Sequence, residues 1–333
     1  MKESDRIKNC IKGGNLDYFA GIIGQERAIL PLQRALQSGH ISHAYLFMGP
    51  VGVGKYTTAL GMARAIILSS DPQGEAYWRE GVHPDFKLIE RIDKKSMIGI
   101  EQVTRELEPW LALKPYRARR RVVIIKDAHL LSLPAANALL KTLEEPPEYA
   151  VIILVADENN LIETIISRCQ LIKFDPLNEA DLTTYFTDRG MDPEKAVHLA
   201  RLAQGSIATA LLFAEEEWEG FWQLAKELIE SLAGGQPIEV FLAAEKIEKQ
   251  PLIMIALLET ILRDIYVYQQ TGQSEQLLMA QNLTLCQKFK QLDLRQVGAS
   301  MTSISAMKKL YQRSVSPLLL NINISYALQD ALR

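Results

Sequence analysis

Cysteine is scarce in these 333 residues: Cys10, Cys169 and Cys286 lie far apart, and no C-x-x-C pair occurs. That spacing excludes a disulfide framework and the common zinc patterns. No zinc is therefore expected, and a reducing cytoplasm is the expected home. Long apolar runs are also missing. The most hydrophobic stretches are cut by Asp157, Glu259 and Arg263 well short of membrane-spanning length. Met1–Cys10 lacks the apolar core of a secretory leader, so no membrane contact is expected. Nor does one sign of charge dominate: 37 basic and 40 acidic residues give a net −3. Without an overall basic field, nucleic acid would have to be gripped locally or through partner proteins.

What is present is an ordinary globular mixture, 48% hydrophobic and 23% charged, with a length suited to about two or three domains. Strand-length apolar runs at His43–Met48, Phe86–Glu90, Arg121–Ile125 and Ala150–Ala156 alternate with helical patterns. Such alternation predicts a parallel sheet covered on both faces, an α/β domain over residues 1–175. Ser69–Val82 is polar, holds Pro72 and Gly74, and reads as a loop or short excursion. Strand signals stop after Asp175–Pro176. A small helical domain is expected over 176–215, where Leu182, Phe186, Ala196, Leu199 and Ala203 fall at helical spacing, and an all-helical domain over 216–333. In the latter, Leu252, Ile255, Leu258, Leu262 and Ile265 share one apolar face that needs a covering surface.

The run Gly49-Pro-Val-Gly52-Val-Gly54-Lys55 follows an apolar strand and precedes a helical pattern, the context a G-x-x-x-x-G-K phosphate loop requires. Glycines let backbone N–H groups curl round phosphates at a helix N-terminus, and the lysine adds a point charge. The motif normally continues with a hydroxyl that holds Mg²⁺, but Tyr56 stands there. A phenol oxygen reaches too far, and Thr57 lies roughly 100° further round the helix. The strand Val122–Ile125 should deliver a carboxylate to the metal. It delivers Lys126, followed by Asp127. A lysine there places like charge where a divalent cation would sit, so the degraded site is expected to bind ATP or ADP weakly and to hold no metal.

Further along, Ala135-Ala-Asn137-Ala-Leu-Leu-Lys141-Thr-Leu-Glu144-Glu145-Pro146-Pro147 and Ser167-Arg168-Cys169 resemble the clamp-loader branch of the AAA+ ATPases. Gly24-Gln25, His43-Ala-Tyr-Leu-Phe and His83-Pro84-Asp85 match the same family in the same order across about residues 20–175. The resemblance implies a P-loop AAA+ domain, a helical lid and a C-terminal collar that joins subunits. Within the branch the chain looks more like the delta-prime type than the gamma/tau motor type. Lys126 replaces the motor's metal-binding Asp, Asp127 its catalytic Glu, and Ala156 and Ala208 two phosphate-sensing residues. The implied role is a non-hydrolysing subunit in the loading of a sliding clamp onto primed DNA, with gamma/tau and delta subunits as partners.

Several residues keep two readings. Arg168 resembles a trans arginine finger that reaches a neighbour's γ-phosphate, or is an arginine tying domains together. Arg117, Arg119, Arg120 and Arg121 touch DNA phosphate or form a solvated turn. Lys141, Glu144 and Glu145 read as packing or interface groups, His83 and His129 as structural histidines, and Trp218 and Trp222 as core. An active ATPase of gamma/tau type and a stand-alone AAA+ regulator stay open as alternative functions.

Overall fold

The computed structural model describes residues 18–92, 95–157, 161–215, 218–311 and 316–333; Cys10 and most of the segment 1–20 fall outside them. The chain divides into two compact units, one of residues up to 185 with 205–207, the other of residues 186–204 with 208–333.

In the first unit the order is α1 (Glu26–Ser38), β1 (Ala44–Met48), α2 (Lys55–Leu68), a 3₁₀ turn at Pro72–Gly74, α3 (Glu75–Arg79), β2 (Phe86–Ile89), a π-helical segment at Gln102–Leu107, and α4 (Glu108–Ala112). It continues with β3 (Arg121–Ile125), α5 (Leu133–Glu144), β4 (Ala150–Ala156), α6 (Glu163–Ile166), β5 (Gln170–Lys173) and α7 (Glu179–Thr187). The strands form one parallel sheet in the order β2-β3-β4-β1-β5.

Period-2 side chains explain the two-sided burial. Leu46, Val123, Ile125, Ile152 and Leu154 enter one core with α5. Tyr45, Phe47, Val122, Ile124, Val151 and Ile153 enter the other, with α1 and α2. The helix α2 buries residues all round, Ala59, Met62, Ala63, Ile66 and Ile67 among them, and Gly61 admits the Tyr18 carbonyl where a Cβ would come within 2.2 Å.

All four predicted strands are present. The fifth, β5, lies beyond them and pairs with β1. The predicted loop Ser69–Val82 contains the 3₁₀ turn and α3, because Trp78 is buried against Phe86.

The second unit is helical: α8 (Pro193–Leu202), α9 (Ile207–Glu215), α10 (Trp218–Leu232), α11 (Pro237–Glu248), α12 (Pro251–Thr271), α13 (Leu283–Lys288), α14 (Leu294–Leu310) and α15 (Pro317–Ala331). Leu199, Leu202 and Phe213 share one core with α10 to α15. Ile255, Leu258, Leu262 and Ile265 are fully buried in it, so the chain itself covers that predicted face; Leu252 is instead exposed. Trp222 is also core. Its Nε1 donates to Asn282 Oδ1 at 2.8 Å, and the buried Asp264 accepts from Asn282 Nδ2 and from the N–H groups of Leu278 and Met279. This polar network pins the connection between α12 and α13 with its members satisfied.

Candidate functional site: a phosphate loop closed on its own lysine

In a parallel α/β sheet ligands lie beyond the carboxyl ends of the strands. Here those ends carry Gly49 after β1, Lys126 and Asp127 after β3, and Asp157 after β4. The loop from Gly49 to Gly54 turns directly into α2. Gly52 and Gly54 adopt positive φ of 78° and 98°, which L side chains rarely reach. At Gly49 a Cβ would sit 2.2 Å from the Phe174 carbonyl. The loop is held from outside as well: the buried Gln25 donates to the carbonyls of Val53 and Asp175 at 3.3 and 2.7 Å, and Ile207 N–H donates to the Gly52 carbonyl at 3.0 Å.

Lys55 does not extend over this loop. Its side chain is 3% exposed, and its ammonium lies 2.8 Å from Asp157 Oδ1. It also donates to the carbonyls of Gly49, at 2.8 Å, and Pro50. Three acceptors for three N–H bonds leave the ammonium saturated.

Next to it stands the substitution expected to exclude metal. The Lys126 ammonium lies 4.9 Å from the centre of the Tyr56 ring and 3.4 Å from Glu90 at the surface. A cation over an aromatic face is attractive, so the two departures form one contact. Thr57 is exposed, and the hydroxyl of Thr58 donates back to the Gly54 carbonyl. The position next after Lys55, where the metal-holding hydroxyl would stand, is thus filled by the Tyr56 ring.

Asp127 takes a left-handed backbone conformation, φ 53°. Its carboxyl is held above the usual carboxylate range by burial first, then by Asp157, against the opposing pull of Lys126 and His129. One ligand atom each from Asp127, His129 and Asp157 fall within 4.8 Å of one another. This grouping escaped the sequence, where His129 has no partner at ligand spacing. The donor set is poor for a metal as it stands. His129 Nδ1 accepts from the Asp157 N–H at 3.3 Å, and Lys55 already neutralises Asp157. The residues present therefore do not fit Mg²⁺.

Arg168 belongs to a separate arrangement. Its guanidinium donates to Glu144 Oε1 at 2.6 Å and to the Thr164 carbonyl at 2.9 Å, and about a third of the side chain is exposed. Glu144 thus acts as an ion-pair partner. Ala156 is buried at the end of β4, whereas Ala208 falls in the second compact unit.

The arginine run divides. Arg117 grips Asp71 with two bonds of 2.6 and 3.0 Å, and Arg121 donates to the carbonyls of Trp110 and Lys114. The fully buried Asp85 accepts from the N–H groups of Tyr116, Arg117 and Ala118. The guanidiniums of Arg119 and Arg120 enter no ion pair among the described residues and line a groove of about 640 Å³ with Ser69, Ser70 and Gln37. His83 is structural, bonded to Asp71 and to the Asp85 N–H. The thiol of Cys286 is pushed up to about 12 by burial and the nearby Asp264.

Residues 24–178 match the family described as DNA polymerase III, delta subunit. Over 210 residues, 60% of this chain, the sequence is 34% identical to the tau/gamma subunit of DNA polymerase III from Haemophilus influenzae. The chain is homologous to these tau/gamma subunits. The Bacillus subtilis tau subunit is 38% identical over 47% of this chain, and the Escherichia coli tau subunit 33% identical over 65% of it. The homology covers only 29 to 36% of those three relatives' own lengths. Among solved structures, the Bacillus subtilis DNA clamp loader delta protein aligns over 92% of this chain and 100% of that one, with 14% identity and a TM-score of 0.36. A DNA polymerase III gamma subunit-related protein from Thermotoga maritima aligns over 91% and 99%, with 19% identity and a TM-score of 0.40. At such scores these two likenesses add nothing to the sheet order. No helix of the described residues is long and apolar enough to cross a membrane.

Proposed function

We propose that this chain is a delta-prime-type clamp-loader subunit, a cytoplasmic protein that assembles with gamma/tau and delta subunits to load the sliding clamp onto primed DNA. In this reading it does not hydrolyse ATP itself and lends Arg168 to the site of a neighbouring motor subunit. The observation that carries it is the Tyr56–Lys126 contact, which sets a phenol ring and an ammonium at the two positions where a phosphate-loop ATPase holds its metal. Phosphoryl transfer relies almost wholly on positioning and charge stabilisation, so without the metal little catalysis remains. The glycine loop is still able to take ATP or ADP, weakly, because Lys55 is held by three partners of its own.

Arg168 suits a donated role. Its ion pair with Glu144 lies at the surface, with the arginine about a third and the glutamate about half exposed, and solvent-screened pairs contribute about 0–1 kcal/mol. The guanidinium can therefore leave Glu144 for a phosphate at little cost. Residues 176–215 would act as lid and 216–333 as collar. In support of the collar, Ile238, Phe241 and Leu242 on α11 and Leu318, Leu319 and Tyr326 on α15 remain exposed; apolar surface of this kind favours subunit contact.

The test is reconstitution of the full chain with gamma/tau-type and delta subunits, with and without Arg168→Ala. The reading expects background ATPase for the isolated chain. It also expects an assembled Arg168→Ala complex that loses one motor site's share of single-turnover hydrolysis, each finger contributing about 10³–10⁵ in rate. Robust turnover by the chain alone would favour an active gamma/tau-type ATPase. Failure to join those subunits at all would favour a stand-alone regulator.

A further inference from the structure

Charge in the loop pocket is arranged for an anion that arrives without its metal. Polyphosphates ordinarily enter such a loop with Mg²⁺, which neutralises part of their charge and is held by a hydroxyl and a carboxylate. Here Tyr56 stands at the hydroxyl's position and Lys126 at the carboxylate's. Tyr56 turns a ring face to Lys126, and Thr58 spends its hydroxyl on Gly54. Of the carboxylates that remain nearby, Asp157 is paired with Lys55, and Asp127 lies grouped with Asp157 and His129.

The two ammoniums differ in how firmly they are held. Lys55 is buried and saturated, so moving it uncovers Asp157. Lys126 is about a third exposed, and its acidic partner Glu90 is half exposed at 3.4 Å. Such a solvent-screened pair exchanges at little cost. Of the two cations, Lys126 is the one free to move onto a phosphate. A dication entering the same space would be repelled by that ammonium at close range, and Asp157 is already taken up by Lys55.

We propose that the phosphate-loop pocket binds a nucleoside polyphosphate in its metal-free form, with the Lys126 ammonium standing in place of Mg²⁺ and the Tyr56 ring holding that ammonium at the pocket. This deepens the reading of a non-hydrolysing subunit and rests on it. The consequence is an inverted metal dependence: free Mg²⁺ competes for the polyphosphate instead of bridging it to the protein.

The experiment is titration of the full-length chain with a fluorescent ATP analogue in excess Mg²⁺ and in EDTA. It is repeated on Lys126→Ala and on the double variant Tyr56→Thr/Lys126→Asp, with each variant's melting temperature recorded to establish folding. The chain is expected to bind more tightly in EDTA than in Mg²⁺. Lys126→Ala should weaken binding in EDTA by about tenfold, the effect of about 1.4 kcal/mol. The double variant should regain a preference for Mg²⁺. Three results would each overturn the proposal: binding as tight or tighter on adding Mg²⁺ to the unmodified chain, unchanged binding by folded Lys126→Ala, or no binding by the unmodified chain at millimolar analogue. None of them touches the Arg168 reading, which is measured by hydrolysis at a neighbour's site.

Discussion

Replacing Lys55 by Met keeps the side chain's apolar stem and removes its charge, and the structure makes this a test of stability before it is one of binding. In an open phosphate loop the lysine waits in solvent for its ligand, and its loss costs the fold little. Here the ammonium is 3% exposed and bonded to Asp157 and to two loop carbonyls. Breaking a buried ion pair by removing one partner costs roughly 3–5 kcal/mol. Asp157 retains 14% of its side-chain exposure, so water can rehydrate it in part and about 2–3 kcal/mol is the expected loss. At about 2–4 °C per kcal/mol for a unit of this size, the first unit should melt about 4–12 °C lower, as read by calorimetry. In a double-mutant cycle, Asp157→Asn should recover much of the loss, since the two residues are in contact. A shift below about 2 °C for Lys55→Met, or additive effects in the cycle, would refute the closed-loop account.

Arg168→Ala should change stability by no more than about 1 kcal/mol in urea denaturation, because its pair with Glu144 is exposed; a larger loss would favour the tether. Asp264→Ala should destabilise the helical unit by roughly 2–4 kcal/mol, leaving the Leu278 and Met279 amides unpaired, and hydrogen exchange should speed up at those two residues. Asp71 is held below its ordinary value of 3.8, first by the hydrogen bonds from Arg117 and further by His83. A carboxyl depressed on folding stabilises fully above its unfolded value and loses that contribution as pH falls from there through the folded one. Asp71→Asn should accordingly flatten the acid limb of melting temperature against pH below about 4, and an unchanged limb would count against the link. Cys286, with its thiol raised to about 12, should resist alkylation at pH 8 until the helical unit is unfolded.

The strands were legible wherever apolar residues ran four or more together, as in Val122–Ile125 and Val151–Val155. Strand β5 was not, because Gln170, Leu171 and Lys173 are exposed and only Ile172 turns inward; its place comes from pairing with β1, a long-range contact with no local pattern. The glycine spacing of the loop after β1, and Tyr56 and Lys126 beside it, could be read from the sequence alone. What Lys55 does could not, since its partner Asp157 stands at the end of another strand. The same holds for His129, which meets Asp127 and Asp157 only because β3 and β4 lie side by side. Arg117 and Arg119 look alike in sequence; Asp71, 46 positions from Arg117, separates them.

The glycine loop also bears on how such a chain can drift. Its carbonyls are taken up by Lys55, Gln25 and Ile207, and at Gly49 the Phe174 backbone leaves no room for a side chain. Selection for folding alone would then hold the glycines and the lysine in place, independently of any role in hydrolysis. An intact loop of this kind is therefore evidence of the fold and not, by itself, of turnover.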